Sequence, residues 1–229
     1  MTVSVSIATA ARVDAIADIL DEEYGPRRLR PSGDPISELI STILSQNTSD
    51  TNTARSWKAL RERFPDWDDM RLAPLHLIVD AIRVGGLANR KAPRIQAVLE
   101  SVHEHRGGYD LTFLADLDLP EAMAWLTALD GVGPKTAACV LLFSLGMPAL
   151  PVDTHVHRVA LRLGIVPPRT SPENTQRRLE AVLGDDPSRV YAFHVETIQH
   201  GRTICKSRNP RCDRCPLRAH CNYGQHVRA

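Results

Sequence analysis

Three times along this 229-residue chain an Asp or Ser, both good helix caps, is followed at once by proline: Asp34-Pro35, Ser171-Pro172 and Asp186-Pro187. Proline suits the first position of a helix, where its missing N–H costs nothing. Asp or Ser just before it can accept from the unbonded N–H groups of the first turn. Apolar residues then recur at helical spacing. Ile36, Leu39, Ile40 and Ile43 make one stripe, and Val13, Ile16, Ala17 and Leu20 another. Gly85-Gly86, Gly107-Gly108 and Gly164 read as helix ends. Long alternating strand patterns are missing. The pattern predicts an all-α chain with helices near 10–23, 35–45, 51–63, 74–83, 88–106, 120–129, 134–145, 154–163, 172–183 and 187–200.

A chain of this length suits one large domain or two smaller ones, and its 43% hydrophobic content excludes a disordered class. The net charge of +1 gives no global field that commits it to nucleic acid or membrane. Basic residues instead gather at one end. From Gly201 onward Arg202, Lys206, Arg208, Arg211, Arg214, Arg218 and Arg228 face only Asp213. The first twenty residues carry Arg12, Asp14 and Asp18 and lack a signal core. The most apolar run, 137–152, is broken by Gly146, Pro148 and Pro151 and is shorter than the roughly 20 residues of a membrane span. A soluble, intracellular protein with no membrane partner is the expectation.

The stretch "GVGPKTAACV", Gly131 to Val140, places Lys135 one residue into a helix that starts at Pro134. The positive end of a helix dipole disfavours a cation there. Gly131 and Gly133 can take positive φ and admit another backbone closely. The N–H groups of the turn and of the first helical turn lack intrahelical partners, so together they suit a phosphate oxygen. An ordinary glycine-capped helix connection with a surface lysine is the plainer reading. Against it, an uncharged lysine amine is a nucleophile that can form a Schiff base, and a broken local rule often marks function.

Further along, "LPVDTHVHRV" places Asp153 at a helix start, as an N-cap and as a carboxylate that could serve such an amine. His155 and His157 are two apart, which on a helix puts them on different faces, so no metal site is read there.

Of five cysteines, Cys139 stands alone in an apolar helix and reads as core. The other four fall within 17 residues as C-x6-C-x2-C-x5-C: Cys205, Cys212, Cys215 and Cys221. The polar segment between them, with Pro210 and Pro216, has no core of its own; in an intracellular chain such density argues for metal over disulfides, and a metal centre would supply the folding energy. Zinc and a four-iron cluster both take four thiolates, and spacing alone does not separate them.

Taken together, "LDGVGPKTA", "VDTH" and the four-cysteine spacing resemble the endonuclease III family of helix-hairpin-helix DNA glycosylases, from about Pro35 to Cys221. The resemblance implies two helical domains flanking a DNA-binding cleft. A six-helix domain, 30–147, would carry the hairpin. Residues 1–29 with 148–229 would form a [4Fe-4S] domain on the four cysteines. It further implies that Lys135 is the nucleophile and Asp153 its catalytic partner, in a base excision repair enzyme that removes oxidised pyrimidines and cuts the strand by β-elimination. Its partner is double-stranded DNA with damaged or abasic nucleotides, bound by a monomer. DNA contacts would fall on Gly131, Val132, Gly133 and Thr136 of the hairpin. Leu87 of "GGLANRKA" and Gln46-Asn47 of "ILSQNTSD" would fill the gap left by a flipped nucleotide.

This chain departs from the family pattern at Asp130, where many members have proline, and at Pro134, where many have a basic residue. Thr127 stands where some members have an acid facing the lesion pocket, and "SQNT" resembles a branch with mismatch thymine glycosylases. Two other readings stand beside the first: a mismatch-specific thymine or uracil glycosylase, and a non-enzymatic DNA-binding module with a zinc knot.

Overall fold

The computed structural model describes residues 7–226. The extremes of the expected 1–29 and 148–229 segments, and Arg228 with them, lie outside the described residues. Every regular element among the described residues is helical. In chain order these are α1 (Ile7–Tyr24), α2 (Pro35–Ser45), α3 (Asp50–Arg63), α4 (Trp67–Leu72), α5 (Leu75–Ile82) and α6 (Ala88–Arg106). They continue with α7 (Leu119–Thr127), α8 (Pro134–Leu145), α9 (Thr154–Leu163), α10 (Pro172–Leu183), α11 (Pro187–Thr203) and α12 (Asn222–His226). Short 3-10 turns lie at Arg83–Gly85, Thr112–Asp116, Cys212–Arg214 and Arg218–His220.

The Asp-Pro and Ser-Pro pairs do what their chemistry dictates. Asp34, Ser171 and Asp186 each accept from a main-chain N–H in the first turn of α2, α10 and α11, with proline opening the helix. Asp118 and Glu121 add a reciprocal capping box at α7.

The chain divides into two compact units. One is Pro31–Leu145; the other joins the segment up to Arg30 to Gly146 onward. In the first, α8 is the central helix: Thr136 through Leu142 are all buried. Ile36, Leu39, Ile40 and Ile43 of α2 face it, each at most 5% exposed. The six helices expected in this stretch are joined by α4, whose six residues are too few to show a period in sequence.

In the second unit, Val13, Ile16 and Leu20 of α1 are fully buried, and α1 packs on α10 and α11. Polar side chains tie this N-terminal helix to the far end of the sequence. The Arg12 guanidinium donates to the carbonyls of Leu163 and His220 and to Asn222 Oδ1. Tyr24 hydrogen-bonds His200 Nδ1 at 3.0 Å. No helix among the described residues is long and apolar enough to cross a membrane.

Candidate active site and cluster loop

In the unit Pro31–Leu145, three chain segments bring together all the residues expected at DNA except Asp153 and the cysteines. The first is the hairpin between α7 and α8. Gly131 takes the left-handed conformation at φ 78°. Arg94 from α6 lies against it, with Cδ 2.9 Å from where a β-carbon would stand. Gly133 behaves differently. Its φ is not positive, and a β-carbon there would meet nothing within 4 Å. Gly133 therefore does not use the positive φ open to glycine, but it leaves the main chain open to an approaching backbone.

The first i→i−4 bond of α8 runs from Ala137 N to Gly133 O at 3.0 Å. Among the described residues the N–H groups of Gly133, Lys135 and Thr136 have no acceptor. Val132 departs from expectation: its N–H donates to Leu129 O at 3.0 Å, so it is already satisfied. The side chains of Val132 and Thr136 are also buried, each 4% exposed. A DNA contact by Thr136 can only be through its main chain. Lys135 is half-buried at the second position of α8. The hairpin from Thr127 to Gly133 lines an open depression of about 510 Å³, with exposed Asp130 on its rim.

The second and third segments are Gln46-Asn47 and the turn before α6. Asn47 is exposed at φ 54° and Leu87 is 45% exposed at φ 53°. Positive φ is uncommon for asparagine and a true outlier for leucine, and such strain gathers at functional sites. Gln46 instead turns to the protein, its Oε1 accepting from Arg94 Nη1 at 2.8 Å. Arg94 thus links the second segment to the hairpin.

Sequence reasoning missed Glu38, Lys91 and Arg94. Burial pushes the Glu38 carboxyl up; the Thr42 hydroxyl and the positive charge of Lys135 pull it back. A signal for Lys91 was present: it falls among Ala88, Ala92, Ile95 and Leu99, on the buried face of α6.

Asp153 belongs to the other unit, where it caps α9. Its Oδ1 accepts from His155 N and Val156 N, both at 2.8 Å, and no hydrogen bond among the described residues falls on Oδ2. His155 and His157 serve structure: His157 Nε2 meets Thr170 O at 2.8 Å, and His155 Nδ1 meets the Arg158 guanidinium.

In the same unit Cys205, Cys212, Cys215 and Cys221 line one cavity, closed by Val159, Leu163, Ile204 and Leu217. Donors point at the sulfurs. Arg162 Nη1 lies 3.3 Å from Cys205 Sγ, Gly224 N 3.2 Å from Cys221 Sγ, and His200 Nε2 3.6 Å from Cys215 Sγ. Burial pushes the Cys215 thiol up to about 11, the neighbouring thiols adding to it, so a cationic centre is needed to hold it as thiolate. A single zinc draws four thiolates to about 2.3 Å of one point. A four-iron cluster seats each thiolate on its own iron, which a ring of thiols around a cavity suits. Arg162 and Arg218 would offset its negative charge.

Comparison with known proteins decides the matter. Residues 40–184 match the family model described as HhH-GPD superfamily base excision DNA repair protein. Residues 205–221 match the iron-sulfur binding domain of endonuclease III. The chain is 38% identical over 191 residues to endonuclease III of Thermotoga maritima, covering 83% of this chain and 84% of that one. This chain belongs to the endonuclease III family.

Among solved structures, a trapped endonuclease III–DNA covalent intermediate superimposes with a TM-score of 0.79 at 28% identity, over 94% of this chain and 97% of that one. A thermostable thymine-DNA glycosylase shares the fold, with a TM-score of 0.78 at 21% identity over 96% of this chain and all of that one. As an endonuclease III family member the chain is a DNA glycosylase with AP lyase activity in base excision repair, and its C-terminal loop carries a [4Fe-4S] cluster. The zinc-knot reading is thereby set aside.

Proposed function

We propose that this family member removes oxidised pyrimidines from duplex DNA, with Lys135 as nucleophile and Asp153 as its partner, acting as a monomer on DNA inside the cell. The observation that carries the reading is the place of Lys135. It stands half-buried in the first turn of α8, beside main-chain N–H groups without acceptors and behind the open backbone of Gly133.

The chemistry follows from those groups. Phosphate oxygens accept from the N–H groups of Gly133 and Thr136, which grips the strand without reading its sequence. The sugar carbon is out of reach while the nucleotide is stacked in the duplex, so the nucleotide is flipped out at a cost of a few kcal/mol. Leu87 and Asn47 occupy the gap it leaves. Lys135 Nζ then forms a bond to the sugar C1′ as the C1′–N bond breaks and the base departs with the electron pair. Loss of a proton from the nitrogen and ring opening give an iminium between Nζ and C1′. Removal of a C2′ proton expels the 3′ phosphate, and water hydrolyses the imine to free the lysine. Asp153 Oδ1 is held by two N–H groups, and Oδ2 supplies the negative charge that the departing proton or the developing sugar cation requires. Cys205, Cys212, Cys215 and Cys221 would hold the [4Fe-4S] cluster, which would supply folding energy to the 205–221 loop.

Borohydride reduction on DNA containing an abasic site tests the assignment. A covalent adduct is expected with the wild-type protein, none with Lys135→Ala, and slowed formation with Asp153→Asn. Normal trapping by the alanine variant sinks the assignment. Duplexes carrying thymine glycol, G·T and G·U test the lesion class. Processing of the mismatches alone transfers the chain to the mismatch glycosylases.

A further inference from the structure

Lys91 is a buried cation that the chemistry above does not use. It is 3% exposed. Its Nζ donates to Leu44 O at 2.7 Å and to Gly85 O at 3.1 Å, and among the described residues no carboxylate ion-pairs with it. Burying an ammonium without a counter-charge is unfavourable, and a methionine of similar shape would fill the space more cheaply. What the ammonium gains is two carbonyls that need a donor. Leu44 lies in the last turn of α2, where carbonyls have no intrahelical partner and the dipole favours a cation. Gly85 ends the 3-10 turn before α6.

Those two carbonyls stand just before the two strained residues. Leu44 is three residues ahead of Asn47, and Gly85 is two ahead of Leu87. Gly85 is pinned from its other side as well: a β-carbon there would lie 2.5 Å from Ser56 Oγ of α3. Lys91 itself rises from the first turn of α6, its N–H bonded to Leu87 O at 3.0 Å. One side chain therefore fastens the end of α2, the turn before Leu87 and the helix Leu87 opens.

We propose that Lys91 is a positioning residue which sets Leu87 and Asn47 at a fixed separation, so that both enter the vacated space in the duplex together. It touches neither DNA nor the reacting atoms. Neutralising it leaves two buried carbonyls without a donor and frees each strained turn to relax separately. The inference rests on the reading of Leu87 and Asn47 as gap-filling residues, and its test is chosen to fail separately from that reading.

The test compares a lesion that must be pulled from a base pair with one that has no pairing partner. Single-turnover excision of thymine glycol is measured opposite adenine and opposite a tetrahydrofuran abasic analogue, beside borohydride trapping at a preformed abasic site. Lys91→Met is expected to slow excision from the paired duplex roughly tenfold to a hundredfold. Excision from the unpaired context and trapping should change less than about threefold. In a Leu87→Ala background Lys91→Met should add little, since it works through a side chain no longer there. Equal losses on both duplexes, or full additivity with Leu87→Ala, overturns the proposal. If Lys91→Met does not fold, Lys91→Arg keeps the charge while displacing both carbonyls, and must show the same loss confined to paired substrate. Should wild type excise only mismatched thymine, the same comparison is run with thymine opposite guanine and opposite the analogue. Failure of wild type to trap at an abasic site, or an even loss from Leu87→Ala alone, counts against the functional reading instead.

Discussion

The side chain of Arg94 occupies the place a β-carbon on Gly131 would take, with Nε 2.5 Å from that point, while its Nη1 bonds Gln46. The hairpin turn and the α2–α3 connection thus share one support, and the two glycines of "GVG" have separate jobs. Gly131 is needed by the fold, and Gly133 by whatever approaches the hairpin.

Substituting the two glycines should separate those jobs. Gly131→Ala must place a methyl group into Arg94 at φ 78°. A loss of roughly 1–3 kcal/mol of stability is expected. Gly133→Ala meets nothing and should melt within a degree or two of wild type. Its methyl group would, however, hold a phosphate away from the N–H groups and weaken DNA binding roughly tenfold. Thermal melting and fluorescence anisotropy on a duplex check the pair. Equal effects of both variants on both measurements would refute the division.

Leu87 carries strain that serves function and not stability. Left-handed backbone costs a non-glycine residue about 1–2 kcal/mol, and 45% of this side chain faces solvent. Leu87→Gly is expected to melt no lower than wild type, the relief of strain offsetting glycine's added chain entropy. Excision from a paired duplex should fall roughly tenfold or more. A variant that loses stability and keeps its rate would show Leu87 to be an ordinary packing residue.

The parts of this molecule that sequence revealed are those written in local chemistry. Asp34-Pro35 and Ser171-Pro172 announce helix starts because capping is decided within four residues. The four cysteines announce a metal centre because four thiols within 17 residues of a segment without a core suit a metal better than disulfides in an intracellular chain. Asp153 was visible as a cap for the same reason. What stayed hidden is long-range. Arg94 reaches 48 residues back to Gln46, and Lys91 reaches 47 back to Leu44. No local pattern encodes such a partner, although a lysine on the buried face of α6 signals that one must exist. Val132 and Thr136 show what a motif leaves out. They lie within the hairpin motif, yet packing against the core withdraws their side chains from any ligand.

Glu196 should make stability fall as pH rises. It is 1% exposed on α11, with Oε1 lacking any partner, and it faces Asp21 of α1 and Arg27. Burial, then the Asp21 carboxyl, pushes its carboxyl up to about 8; Arg27 only partly offsets this. The folded protein therefore holds a proton that the unfolded chain releases near the ordinary value of 4.5. Between those values the folded state binds more protons, so this group's contribution is full at low pH and is lost as pH climbs toward 8. Glu196→Gln mimics the protonated form. It should match wild type near pH 5 and exceed it above pH 8, as read from urea midpoints at both values. A difference independent of pH would show that Glu196 does not change protonation on folding.

Cluster loss should loosen the unit that holds the four cysteines and spare the unit Pro31–Leu145. Between Cys205 and Cys221 the only regular structure is two 3-10 turns, and Leu217 is the one fully buried apolar side chain. Arg158, Arg162 and Arg12 hold its two ends through carbonyls of Cys205, Lys206, Ser207 and His220, and the four cysteines would hold the middle through the cluster. Cys215→Ser should abolish broad visible absorption and bound iron. Arg12 donates to His220 O and Asn222 Oδ1, so release of the loop also removes two anchors of α1. Trypsin should then cut at Arg208, Arg211 and Arg214, which the loaded protein protects, and the melting temperature should fall by several degrees. The unit Pro31–Leu145 has a core of its own, centred on α8, and should keep its helices, as read by hydrogen exchange. A Cys215→Ser protein that retains iron and resists trypsin would show that the loop is held by something other than its four thiolates.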